Sequence, residues 1–260
     1  DGPIIADYVS IYPANGLGSA GVTINGGIEL GDGELNVNNS GVLKVAGEIN
    51  AGGVYFYDDS VGSSFESGAI STRDRIEIQV GGDVTVHGGM TATEGEIFTN
   101  VGAGGGAFTS QDTSFTAAGN LSAYHAINLN HQNVSINGSV EVTPATPGRV
   151  TYSEGGFLSS SPSGSGTFEL TGDLNVQRGG ISIEHQDGIS IGGTTTVVNG
   201  ELSLAAYTGP IQTGDLYSAS QVQITSGSNP VTIGNVYAGD LFRLNADGDL
   251  TIGNIVSQQG

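Results

Sequence analysis

Three side chains at matching positions of consecutive repeats are the candidates for binding chemistry: Tyr55, Glu77 and Phe98. Each lies between two inward-facing positions of its repeat, so strand alternation points all three toward solvent. Two aromatic rings on either side of a carboxylate would form a platform for a sugar ring. The same pattern fits side chains that only pack against neighbouring strands, and the sequence leaves both interpretations open.

Catalysis on a polysaccharide would need two or three carboxylates, or a carboxylate and an arginine, on neighbouring turns of one face. The outward position of the first strand carries Glu66 and Glu169, which are several repeats apart. The outward series of the third strand shows no adjacent acids either. We therefore predict no catalytic residue and no enzyme activity.

Metal and cofactor chemistry is also not predicted. The four histidines, His87, His125, His131 and His185, are expected to be polar surface residues. His125 and His131 lie on opposite sides of an inward pair, so they are not expected to share a metal ion. Gly-Asp pairs recur in this acidic chain and leave calcium between turns as the one ion to consider, but no Gly-Gly-x-Gly-x-Asp repeat accompanies them.

The charge balance limits the partners. The chain of 260 residues carries 26 acidic and 6 basic side chains, for a formal net charge of −20. Nucleic acid and anionic membranes both need a cationic surface, so neither is a predicted partner. No apolar run approaches the ~20 residues of a membrane-spanning helix, and no membrane insertion is expected. Cysteine is absent, which excludes disulfides and thiol chemistry.

The element that must position all these residues is a repeat with a period close to 20 residues. An apolar residue opens each unit, in most of them as an apolar-x-apolar pattern, and a second inward pair follows 11 to 13 residues later in most of them. In the Val134 unit the second pair is expected at Val150 and Tyr152. The eleven unit starts are Val22, Leu43, Phe65, Val84, Phe115, Val134, Phe168, Ile189, Ile211, Val231 and Leu250.

A glycine follows every unit start by three or four positions and marks the first bend of the unit. We expect glycine there because it permits backbone angles that a Cβ atom would forbid. These corner glycines are Gly26, Gly47, Gly68, Gly88, Gly119, Gly138, Gly172, Gly192, Gly214, Gly234 and Gly253.

Three short strands per unit, divided by tight bends, predict an all-β protein. The predicted fold is a right-handed parallel β-helix, a three-faced solenoid of about eleven turns of roughly 20 residues. A β-sandwich also has many short strands with glycine-rich turns, but it does not explain a two-pair unit that recurs in tandem.

The domain organisation follows from the repeat. Residues 1–21 are predicted to be a partial preceding turn or a cap, and residues 22–260 the β-helix. The spacing grows at three places, which predicts insertions at 57–64, 100–114 and 153–167, all at the same corner. Such insertions either build a binding face or are tolerated surface loops.

Several repeated phrases resemble the haemagglutination-style repeats of filamentous haemagglutinin-type exoproteins, which are two-partner-secreted bacterial adhesins. They are Gly172–Val176, Gly248–Ile252 and Val231–Gly239. The resemblance covers most of the chain from about Val22 onward. It implies a Gram-negative cell-surface rod that mediates adhesion or builds a matrix.

Three hypotheses about function remain. The first is an extracellular, non-catalytic structural or adhesive rod segment of a bacterial surface exoprotein, whose partners are host-surface or matrix glycans or proteins. The second is a carbohydrate-active β-helix enzyme or a phage-type tailspike. The third is a self-assembling extracellular fibre whose subunits stack end to end.

Overall fold

Alternation of apolar and polar residues makes each repeat three short strands that bury one set of side chains and expose the other. The structure is a computed structural model that describes residues 2–12, 21–38, 41–101, 113–143, 157–160 and 165–258. All regular elements in these ranges are β-strands. Nowhere in this described part is there a helical segment with the length and hydropathy that crossing a lipid bilayer requires.

The strands form three parallel sheets, each built from one strand per turn. Sheet 1 contains Val22–Ile24, Val42–Val45, Ser64–Ser67, Val84–Val86, Ser114–Ala117, Asn133–Ile136, Thr167–Leu170, Gly188–Ile191, Ile211–Thr213, Val231–Ile233 and Leu250–Ile252. Sheet 2 contains Ile4–Ile5, Ile28–Glu29, Ile49–Ala51, Ile70–Thr72, Met90–Ala92, Leu121–Ala123, Val140–Val142, Leu174–Val176, Thr195–Val197, Leu216–Ser218, Val236–Ala238 and Ile255–Ser257. Sheet 3 contains Val9–Ile11, Glu34–Asn38, Gly53–Val61, Ile76–Gly81, Ile97–Val101, Ala126–Asn130, Phe157–Ser160, Ile181–His185, Leu202–Ala206, Val222–Ser226 and Phe242–Ala246.

The predicted parallel β-helix is confirmed, as a solenoid of about 10 turns of ~21 residues. The repeat starts pair with one another in register along sheet 1; for example, Val134 pairs with both Phe115 and Phe168. From Leu43 to Val231 the side chains of these starts belong to a narrow apolar core, which extends from Ile28 to Ala238. Before the first complete turn, Ile4–Ile5 and Val9–Ile11 already pair with sheets 2 and 3.

The expected reason for the corner glycines is wrong. None of the eleven has the positive φ that favours glycine. A Cβ atom would instead collide with the preceding turn: at Gly172 it would lie 2.5 Å from Gly138 O, and at Gly214 it would lie 2.4 Å from Gly193 O. The close approach of stacked backbones therefore selects glycine. Gly193, rather than Gly192, occupies this column, because Gly193 N donates to Gly172 O.

Beside the glycines, polar side chains link one turn to the next. Asn120 Oδ1 accepts from Ser139 N at 2.9 Å, and Ser139 Oγ accepts from Asp173 N at 3.1 Å. The row continues with Asp173 Oδ1, which accepts from Thr194 N at 2.8 Å. These contacts satisfy backbone N–H groups at a bend where no strand partner is available.

The segment 57–64, expected to be an insertion, is largely strand. Gly53–Val61 continues sheet 3, and the register with the following strand shifts between Val80 and Gly81. The inward-facing Asp58 organises this irregularity: its carboxylate accepts from Gly41 N and from Ser60 N. An extra stretch of chain is thus absorbed by a bulge around a buried, hydrogen-bonded carboxylate.

The expected second pair of the Val134 unit, Val150 and Tyr152, lies outside the described residues. The corresponding position in sheet 3 is taken by Phe157–Ser160, where Leu158 pairs with Ile127 and with Ile181. The predicted insertion 153–167 therefore contains a strand of the sheet, so the extra residues of this turn do not all follow its third strand. Most of the insertion 100–114 also lies outside the described residues.

Two of the four histidines are not surface residues, contrary to expectation. His131 is 0% exposed and His185 is 1% exposed, and they pack against the rings of Phe115 and Phe168 respectively. His185 Nδ1 lies 3.2 Å from Gln132 O. Burial lowers the pKa of each imidazole to about 4, although Asp83 opposes this shift at His131 and the Gln132 carbonyl opposes it at His185.

The corner glycines give a first prediction. In Gly172→Ala the new methyl group would meet backbone and hydroxyl oxygens at 2.5 Å, so we expect the free energy of unfolding to fall by about 2 kcal/mol. Urea denaturation would measure the loss. Gly2→Ala is the control, because a Cβ atom there meets nothing within 4 Å. Equal midpoints for Gly172→Ala and the unchanged chain would contradict the close-approach explanation.

The buried histidines give a second prediction. Their pKa in the folded protein lies below the ordinary histidine value of 6.5, so the unfolded chain binds protons more readily. Stability is therefore retained above about pH 6.5 and lost as the pH falls toward 4, by about 3 kcal/mol for each histidine. Urea midpoints across this range should show the loss. It should be smaller in His131→Leu than in a His125→Gln control, and identical pH profiles would contradict the assignment.

Candidate binding site on the outer face of sheet 3

Strand pairing brings the three sequence-predicted residues side by side. Glu77 pairs with Tyr55 on the preceding turn and with Phe98 on the following turn, all on the outer face of sheet 3. Adjacent strands in a sheet are about 4.8 Å apart, so the three side chains span roughly 10 Å along the axis of the helix.

Arg75, two residues before Glu77 in the chain, also belongs to this group. Its Nη1 lies 2.9 Å from Glu77 Oε2. Its Nε lies 2.9 Å from Glu96 Oε1, an ion-pair contact without hydrogen-bond alignment. Its guanidinium carbon lies 5.3 Å from the centre of the Phe98 ring, within the range of a cation–π contact. One arginine therefore holds two carboxylates and one aromatic ring from two turns.

The carboxylate of Glu77 is already engaged by the protein. Gln79 Nε2 donates to Glu77 Oε1 at 2.7 Å, Arg75 occupies Oε2, and the residue is only 7% exposed. Burial, followed by a hydrogen bond to Glu77, raises the pKa of Tyr57 to about 12. The central acid of the predicted platform thus stabilises its neighbours and presents little surface to a ligand.

The Tyr55 ring leans back along its own strand. A Cβ atom built on Gly53 would lie 2.8 Å from Tyr55 Cε2, so the missing side chain at Gly53 leaves room for the ring. Burial is the first cause that raises the pKa of the Tyr55 phenol, and the negative charges of Glu34 and Asp74 add to it. Solvent reaches the half-buried members of the group, among them Tyr55, Arg75 and Phe98, whereas Glu77 is buried.

Sequence analysis missed four members of this group: Tyr57, Arg75, Gln79 and Glu96. Each stands two residues from Tyr55, Glu77 or Phe98 and therefore shares the same face of its strand. The two-residue alternation that places them there is visible in the sequence, on either side of the central outward residue of each strand. The structure consequently has adjacent carboxylates, Glu77 and Glu96, where none were expected.

No group of three or more His, Asp or Glu side chains that could hold a metal ion occurs within the described ranges. Asp173 and Asp215, from two of the Gly-Asp pairs, accept hydrogen bonds from backbone N–H groups of the next turn. In the comparisons, the chain matches no family model, no curated protein and no solved structure.

Glu77→Gln tests the organisation of the group. Removing the negative charge should lower the pKa of Tyr57 from about 12, but not fully to 10, because burial remains and is the larger cause. NMR titration of labelled tyrosine, assigned by comparison with Tyr57→Phe, would measure it. As a control, Glu169→Gln changes an acid of sheet 1 and should leave the pKa of Tyr57 unchanged. An unchanged pKa in Glu77→Gln would contradict the contact.

Proposed function

We propose that this chain is a non-catalytic structural and adhesive rod segment of a bacterial surface exoprotein, located outside the cell. The observation that carries the proposal is the stacking of three parallel sheets around one apolar core, which is buried from Ile28 to Ala238. Such a solenoid serves as a stiff spacer, because each turn is hydrogen-bonded to the turns above and below it.

The character of the outer surface supports this role. Outward positions along sheet 1 are mostly Ser, Thr and Gln, such as Thr85, Ser190 and Gln212. The formal net charge of −20 keeps such rods soluble and apart from one another. The proposed partners are glycans or proteins of a host surface or matrix. The resemblance to filamentous haemagglutinin-type adhesins points to the same role.

One observation favours a carbohydrate-active enzyme as the second candidate. Glu77 and Glu96 come from neighbouring turns and both contact Arg75, beside the aromatic ring of Phe98. Glycoside hydrolases use a pair of carboxylates for catalysis, and an adjacent aromatic ring can pack against the sugar. Against this reading, Glu77 is buried and both of its oxygens already accept hydrogen bonds or ion pairs within the protein. We therefore rank the rod first.

The two candidates differ in one measurable outcome. For a structural rod we expect electron micrographs of rods about 50 Å long and no new reducing ends after incubation with a panel of polysaccharides. The double variant Glu77→Gln/Glu96→Gln is the matched control. Release of reducing ends that this variant abolishes would replace the rod proposal with the enzyme. Globular particles without an elongated axis would contradict both.

A further inference from the structure

Two tyrosines form an exposed stack on the outer face of sheet 2. Tyr217 and Tyr237 pair in register on consecutive turns, with ring centres 6.3 Å apart and ring planes inclined by 29°. They are 41% and 39% exposed. The same column holds Thr196 on the preceding turn and Val256 on the following one. This pair is therefore more accessible than Glu77 at the centre of the sheet 3 group.

The two rings do not cover one another completely. Rings in full face-to-face contact have centres about 3.5–4 Å apart, whereas these centres are 6.3 Å apart and the ring planes are inclined by 29°. Gln258 Nε2 donates to the Tyr237 hydroxyl at 3.0 Å, which holds that ring in place. The two rings thus offer an exposed apolar strip that follows the helix axis over two turns.

A row of polar side chains accompanies the strip on one side. Asp215 Oδ1 accepts from Asn235 N at 2.7 Å and from Asn235 Nδ2 at 3.1 Å. Asn235 Oδ1 in turn accepts from Asn254 N and Nδ2, each at 3.1 Å. These residues stand two positions before Tyr217, Tyr237 and Val256. A polar side chain therefore stands two residues before each tyrosine, on the same face of its turn.

We propose that Tyr217 and Tyr237, with the Asp215, Asn235 and Asn254 row, bind a neutral saccharide chain lying along the helix axis. A pyranose ring has an apolar C–H face that packs on an aromatic ring and a rim of hydroxyl groups that reaches the amides and the carboxylate. The repeating strip and row match a polymer of such rings. Asp215 and the net charge of −20 repel anionic sugars, which selects neutral ones.

A protein partner fits this surface less well. A stable protein interface buries about 800 Å² on each side, with several anchoring side chains. On sheet 2 the outward neighbours before the tyrosines are small or polar, such as Asn175 and Thr196. Two adjacent tyrosines match the footprint of a few sugar units. The site deepens the proposed adhesive function and rests on it for its biological meaning.

The test is calorimetric binding of linear hexasaccharides of glucose, mannose and N-acetylglucosamine to the full chain. We expect at least one to bind, and we expect Tyr217→Ser and Tyr237→Ser each to weaken binding about three- to tenfold. Tyr217→Phe and Tyr237→Phe keep the ring and should stay within about threefold. Tyr207→Ser is the matched control: this tyrosine is 45% exposed, but its hydroxyl donates to Glu184, away from the stack.

Three results would overturn the site: no binding of any hexasaccharide, binding that the serine variants leave unchanged, or tighter binding of a sulfated hexasaccharide. Sedimentation that shows a dimer lost in the double variant Tyr217→Ser/Tyr237→Ser would assign the strip to self-association instead. Failure of this site is distinguishable from failure of the rod proposal. Rods that neither cleave polysaccharide nor bind sugar would contradict only the proposed saccharide site, whereas cleavage would contradict the proposed structural role.

Discussion

Backbone hydrogen bonding between successive turns is the constraint on which the rest of the structure depends. The ladders continue through the corners as well as the strands, as shown by Gly172 N donating to Gly138 O and Gly193 N donating to Gly172 O. Stacked backbones at a bend leave no room for a Cβ atom, and this requires a column of glycines. Steric exclusion by the neighbouring turn, rather than an unusual φ, explains this part of the composition.

The same stacking determines the surface chemistry, because it aligns residues about 20 positions apart. Where like side chains meet, they form ladders, such as Asn235 with Asn254. Where opposite charges meet, they pair, as Lys44 does with Glu66 at 2.7 Å. A column's function then depends on how much solvent reaches it. The carboxylate of Glu77 is engaged by contacts within the protein, whereas the rings of Tyr217 and Tyr237 are exposed to solvent.

Polar groups lie inside the solenoid in irregular and regular turns alike. Asp58 is buried next to a register shift, and its oxygens receive hydrogen bonds from the backbone around it. His131 and His185 lie where sheet 3 turns toward sheet 1, and burial keeps both neutral near pH 7. A narrow core can contain such groups when they are hydrogen-bonded or uncharged. The buried histidines lower the stability of the fold in acid, because the unfolded chain binds protons more readily.

The sequence by itself determined the fold class and the phase of the repeat, because a period of two within strands and about 20 between turns leaves few other architectures. It also placed Tyr55, Glu77 and Phe98 on neighbouring turns, since register follows from the inward pairs. It could not determine the extent of each bulge, as at 57–64, or which strand fills a long turn, as at Phe157–Ser160. Alternation indicates the faces on which Arg75, Glu96 and His131 lie, but it could not show that both carboxylates contact Arg75 or that His131 packs on Phe115. Those outcomes depend on side-chain packing between turns, which only the tertiary structure decides.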